Sequence, residues 1–204
     1  MVKENNIDIE TKIIEAANKV FLQYGIDGST MLQIADEAEI SRTSLHYYFR
    51  DKAHLFKKVL ESIQDKIIPK ISVIIDEDTS LFNKIEMFIN EYIDLIMKNP
   101  MIPRFISMQL QSDPSWVISI FKSQRLHLDK LNAQIEREIE EKKINSFKLE
   151  ELLANIIGMS VFPLLSKALF MEFIFDKSEK EFYDYMKSHK KSIMYIVRAW
   201  LSPD

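Results

Sequence analysis

The sequence contains no cysteine. That excludes a disulfide framework, thiolate metal sites and a cysteine nucleophile. Glycine is almost as scarce. Gly25, Gly28 and Gly158 serve 204 residues, too few for Gly-rich phosphate loops, dinucleotide fingerprints or a turn-dense β-barrel. The opening MVKENNIDIE has no basic stretch followed by an apolar run, so no secretory signal is read there and a cytoplasmic location is expected. The longest uncharged run, residues 152–166, holds 15 residues, whereas a membrane span needs about 20. It includes Asn155, Ser160 and Pro163 and reads as a buried helix, with no membrane partner expected. No internal repeat is visible. The histidines at 46, 54, 127 and 189 form no H-E-x-x-H, and there is no nucleophile elbow. Neither an enzyme, a metal site nor a cofactor is expected.

Apolar residues make up 47 % of the chain and charged residues 28 %, enough to build a core without staples. The net charge of −4 means that any contact with nucleic acid must come from a local patch. Apolar residues recur with helical period almost throughout. Ile9, Ile13, Ala16, Ala17, Val20, Phe21 and Tyr24 form the first stripe, and Gly25 suits the left-handed position that ends a helix. Thr30 with Gln33 is a capping-box pattern opening a second short helix. Ser41 can cap a third, over about 42–49. A fourth helix is expected from about Asp51 to Ile68, where Pro69 ends or kinks it. Beyond the acidic stretch at 76–80, helices are expected over about 81–98, 105–110, 114–143, 147–175 and 179–201. Asp113 with Pro114 is a start signal, and Ser178 with Glu181 a second capping box. No alternating run supports a strand. The fold class expected is all-α, with about nine helices.

Residues 30–49 carry the chemistry. A short helix, a tight turn and a second short helix make a helix-turn-helix layout, whose second helix enters the major groove of DNA. On that second helix Leu45 and Phe49 can face the core, which leaves Arg42, Thr43, Ser44, His46, Tyr47 and Tyr48 mostly outward. Residues 1–39 carry a net charge of −5, whereas residues 40–58 hold five basic side chains against Asp51 alone, a net of +4. A basic patch interleaved with tyrosines suits phosphate contact. Surface lysines can also simply solvate a face, and three-helix clusters occur in many proteins.

The run from Ile13 to Phe56 closely resembles the N-terminal DNA-binding domain of the TetR family of transcriptional regulators. The resemblance rests on Ile13, Ala17, Phe21, Gly25, Ser29, Thr30, Ile34, Ala35, Ala38, Ile40, Ser41, Leu45, Tyr47, Phe49, Lys52 and Leu55. Two positions depart from it: Glu39 stands where the family usually has a turn glycine, and His46 where tyrosine is frequent. A left-handed glutamate at 39 costs roughly 1 kcal/mol. The resemblance implies that Arg42, Thr43, Ser44 and Tyr47 reach base edges. It also implies that His46, Tyr48, Lys52 and Thr30 hold phosphates.

It further implies two domains, a helix-turn-helix DNA-binding domain over 1–52 and a larger helical ligand-binding and dimerisation domain over 53–204. Homodimerisation is expected through the last two helices, whose apolar faces are wide enough to need covering on more than one side. For a small-molecule inducer, Phe88, Tyr92, Phe105, Met108, Trp116 and Phe121 are the candidate pocket residues, suited to an apolar or amphipathic molecule. Arg104 and Arg125 are candidates to meet an anionic group. The function expected is a ligand-responsive transcriptional repressor that binds a palindromic operator as a homodimer. The alternative is a helical sensor or protein-interaction module that no longer reads DNA.

Overall fold

The computed structural model describes residues 2–112, 114, 115, 118 and 128–203. Among these it contains ten helices and no strand. They are α1 (Val2–Gly28), α2 (Met31–Glu37), α3 (Arg42–Tyr48), α4 (Lys52–Asp76), α5 (Leu81–Lys98), α6 (Met101–Ser112), α7 (Leu128–Glu140), α8 (Leu149–Leu165), α9 (Lys167–Phe173) and α10 (Glu179–Leu201). The chain separates into two compact units, Met1–Ile68 and Pro69–Asp204.

In the first unit, α1 buries Ile13, Ala16, Ala17, Val20 and Phe21, the stripe its sequence spaces at i, i+3 and i+4. Gly25 takes φ 71°, the left-handed value expected of it, and kinks the helix three residues before its end. Phe21 meets the edge of Phe56 at 5.0 Å between ring centroids. Ile34, Ala35 and Ala38 of the α2 region, Leu45 and Phe49 of the α3 region, and Leu55, Val59 and Leu60 of α4 complete this core.

In the second unit α5 occupies Leu81–Lys98, and Ser80 caps it by accepting from the Asn83 N–H at 3.3 Å. Its face of Leu81, Ile85, Ile89 and Ile93 joins Leu152 and Ile156 of α8 and Phe182, Met186, Ile193 and Val197 of α10 in one core. Along one face of α7, three side chains at i, i+4 and i+8 hold the connection between α4 and α5. Lys130 pairs with Asp76 at 2.7 Å, Gln134 donates to the Thr79 carbonyl at 2.8 Å, and Glu138 accepts from the Leu81 N–H at 3.1 Å. The Lys84 ammonium donates to the Ile75 carbonyl at 2.5 Å, and burial pushes its pKa down. A carboxylate at the start of α5 and a cation at the end of α4 both complement the helix dipoles.

The structure differs from the sequence expectations in three places. α4 does not stop at Pro69 but runs on to Asp76. A proline inside a helix costs about 3 kcal/mol, and burial of Ile74 and Ile75 together with the Lys84 cap offsets it. The helix near Phe105 is longer than expected because Pro103 falls in the first turn of α6, where its missing N–H is no loss. The long helix over 147–175 is two helices, α8 and α9, bent by 62°. At the bend the Ser166 hydroxyl donates to the Phe162 carbonyl at 2.5 Å and competes with the backbone ladder. Of the helix expected over 114–143, most residues before 128, including Asp113, lie outside the described residues. Among the described residues no single helix is long and apolar enough to cross a membrane.

Candidate nucleic-acid interface

Local rules set the two short helices of the first unit. Thr30 caps α2 through a reciprocal box: its hydroxyl accepts from the Gln33 N–H at 3.2 Å, and the Gln33 side chain accepts from the Thr30 N–H at 2.8 Å. α2 ends in a Schellman turn. The Ile40 N–H donates to the Ala35 carbonyl and the Glu39 N–H to the Asp36 carbonyl, both at 3.0 Å. Such a turn needs one left-handed residue, and Glu39 supplies it with φ 53°. Its carboxylate also meets Lys12 of α1 at 3.0 Å, while Glu37 meets Lys19 at the same distance. Both pairs are exposed and worth little as stability, yet they neutralise the two acids nearest the turn. The Glu37 contact pushes the Lys19 pKa up.

Ser41 then caps α3 by accepting from the Ser44 N–H at 3.0 Å. Leu45 and Phe49, four residues apart, are 0 % and 1 % exposed. With 100° of turn per residue, anchoring those two positions turns Arg42, Thr43, His46 and Tyr47 outward. Tyr47 is 81 % exposed, an unusual position for a ring of that size. Ser44 and Tyr48 lie half-buried on the flanks, and the Tyr47 and Tyr48 rings meet edge to face at 5.3 Å. Thr30 is exposed at the start of α2. Of the eight residues expected at a DNA surface, five are exposed and three half-buried. Arg50, which sequence reading counted only as patch charge, is also exposed in the loop after α3.

Lys52 is the member whose environment the sequence did not reveal. Its ammonium donates to the Ser29 carbonyl at 2.9 Å and the Asp27 carbonyl at 3.4 Å, at the end of α1. The charge therefore stands at a helix C-terminus and ties the entry of α2 to the start of α4. Asp51, the lone acid of the segment, accepts from the His54 N–H at 2.8 Å and so caps α4. The Lys52 contacts join residues more than twenty positions apart and leave no sequence pattern to find.

The six candidate pocket residues are only partly brought together. Phe88 and Tyr92 stack on α5 at 5.7 Å with an interplanar angle of 6°, and burial pushes the Tyr92 phenol up to about 12. Met108 is 49 % exposed on α6. Trp116 and Phe121 lie outside the described residues, as do Arg125 and the Phe105 side chain. A surface groove of 380 Å³ is lined by Glu77, Thr79, Asn83, Glu86, Met87 and Asn90. It contains none of the six.

Residues 13–59 match the family of bacterial regulatory proteins of the tetR type. The chain is 24 % identical over 106 residues to the nucleoid occlusion factor SlmA of Haemophilus influenzae, covering 52 % of this chain and 47 % of that protein. The chain thus spans about half the length of that relative. Among solved structures, a transcriptional regulator of the TetR/AcrR family from Thermobifida fusca superposes with a TM-score of 0.65 at 15 % identity, covering 92 % of this chain and 97 % of that one. The FadR transcriptional regulator of Bacillus subtilis, in complex with stearoyl-CoA, superposes with a TM-score of 0.62 at 17 % identity, covering 90 % and 97 %. At these identities the structural likeness establishes a shared fold.

Proposed function

We propose that this chain, whose residues 13–59 match the bacterial regulatory proteins of the tetR family, is a homodimeric DNA-binding transcriptional repressor released from a palindromic operator by a small molecule. The observation that carries this reading is the outer face of α3. Leu45 and Phe49 bury one side, and the opposite side presents Arg42, Thr43, His46 and Tyr47 to solvent. Arg42 can bind guanine O6 and N7 bidentately, with Thr43, Ser44 and Tyr47 beside it at the base edges. His46, Tyr48, Lys52 and Thr30 contribute phosphate contacts, which fix register without reading sequence. The Lys12 and Lys19 pairs with Glu39 and Glu37 remove repulsion that would favour the non-DNA alternative. Such a repressor works in the cytoplasm.

The second copy is proposed to sit on α8 and α10. α8 buries Leu152, Ile156, Ser160 and Pro163 in its own chain and leaves Leu153, Ile157, Phe162 and Leu165 exposed on its other side. On α10, Ile196 and Tyr195 are likewise exposed. Gly158 lies among the exposed α8 residues, and a Cβ there would meet nothing within 4 Å beyond its own helix. Glycine costs a helix interior about 1 kcal/mol relative to alanine, and close approach of a second helix is a reason to keep it. Leu152, Ile156, Phe182, Met186, Ile193 and Val197, by contrast, face the core of their own unit, and Trp200 packs on Phe147 at 5.9 Å.

An apolar or amphipathic inducer suits the Phe88–Tyr92 stack, and FadR of Bacillus subtilis, with the same fold, holds stearoyl-CoA. Release requires that the inducer bind one arrangement of α4 better than another, since equal affinity shifts nothing. The α7 side chains that grip the α4–α5 connection are suited to pass that preference on.

The test is binding of the full chain to DNA upstream of its own gene, against scrambled DNA, at two salt concentrations. Selective binding that falls steeply with salt and is lost in Tyr47→Ala is the expected result. Equal affinity for both DNAs, unchanged in Tyr47→Ala, would overturn the reading.

A further inference from the structure

Pro163 lies inside α8. In an α-helix each carbonyl accepts from the N–H four residues on, and proline has none. The Met159 carbonyl is therefore deprived of its donor by the residue at 163. Across the helix pair, His189 of α10 brings its Nε2 to 3.0 Å from that same oxygen. A carbonyl can only accept, so Nε2 carries the proton, as it does in one neutral tautomer and in the imidazolium. The Tyr185 ring, one turn earlier on α10, stacks on the imidazole at 5.1 Å and holds its plane. One position from Met159, the fully buried Ser160 hydroxyl donates to the Ile156 carbonyl at 2.7 Å. The stretch of α8 around its proline is thus served by side-chain donors.

We propose that His189 is a positioning residue that replaces the backbone donor deleted by Pro163 and so sets the register of α8 against α10. Apolar packing between two helices tolerates sliding, because leucine and isoleucine contacts are non-directional. A hydrogen bond to one carbonyl made accessible by one proline is directional and exists at a single register. The pairing explains why a half-buried histidine stands against the C-terminal half of α8, and why a proline is tolerated there.

The coupling is testable in the full chain at fixed concentration. His189→Leu leaves the Met159 oxygen unpaired and shifts the unfolding equilibrium about tenfold towards the unfolded state. His189→Gln, whose amide nitrogen reaches where Nε2 stood, retains most of the stability. Pro163→Ala restores a backbone N–H at 163, and in that background His189→Leu costs less than about twofold. Nitrogen NMR of the native protein should show His189 protonated at Nε2. Equal cost of His189→Leu in both backgrounds, equal stability of the Gln and Leu variants, or a bare Nε2 would each overturn the proposal. Should Pro163→Ala fail to fold, the Gln and Leu variants and the tautomer still decide it.

Discussion

α3 and α8 are each anchored by burial of one side, yet they present opposite surfaces to solvent. α3 hides Leu45 and shows arginine, threonine, histidine and tyrosine. α8 hides Leu152, Ile156, Ser160 and Pro163 and shows leucine, isoleucine and phenylalanine. The anchoring obeys one rule, since every amphipathic helix must bury its apolar stripe. The outward face is free of that rule and records what it meets. Hydrogen-bonding groups beside a local positive charge suit a polyanion, and an uncharged apolar face suits another apolar face. The two regions also hold their helices differently. α2 and α3 are set by caps within three residues of each helix start, whereas α8 has no side-chain cap and meets α10 through contacts between residues far apart in sequence.

This contrast can be broken at its anchor first. Leu45→Ala opens a cavity at a position with no exposure and should cost 2–5 kcal/mol, roughly the range for buried leucines. Denaturant melts should lose the first unit while the second keeps its helicity; a loss below about 1 kcal/mol would show that α3 is not anchored there. The next largest effect lies on the other face. Ile157→Asp on α8 should weaken self-association by about 2 kcal/mol or more, as a charge does in a desolvated contact. The single-chain fold should persist, because Ile157 is 39 % exposed; sedimentation at dilute concentration reads the outcome, and an unchanged profile would remove α8 from the interface. Arg42→Ala should cost about 1–3 kcal/mol of specific DNA binding and relax base preference at one position. Equal loss on all sequences would limit Arg42 to phosphate. The smallest effect is Glu39→Gly. Glycine relieves the left-handed strain but gives up the Lys12 pair, so a net gain below about 1 kcal/mol is expected in thermal melts.

Much of the first unit was legible because its determinants are local. The Thr30–Gln33 box, the Ser41 cap, the left-handed Gly25 and the inward pair Leu45 and Phe49 are each written within a few residues. α5 was equally plain, preceded by the acidic stretch at 76–80 and carrying an apolar stripe, although its Ser80 cap was not read from the sequence. The apolar run of α8 announced burial, but not which half its own chain would cover. The candidate pocket was the least legible, because methionines and aromatics at helical spacing serve core and cavity alike. Phe88 and Tyr92 come together, while Met108 faces solvent.

Residue order alone determined the all-helical class, the helix-turn-helix, the basic patch at 40–58 and the caps that start α2, α3 and α10, since period, capping and charge are properties of neighbouring residues. Tertiary structure alone decided that α4 passes through Pro69, that Lys52 closes the end of α1, and that α7 grips the α4–α5 connection. It decided too that His189 answers the carbonyl left by Pro163. Each of these sets a local cost or an orphaned polar group against a partner supplied from elsewhere in the chain. Such a partner is found only when the chain has packed, because the cost is written in adjacent residues and its compensation is not.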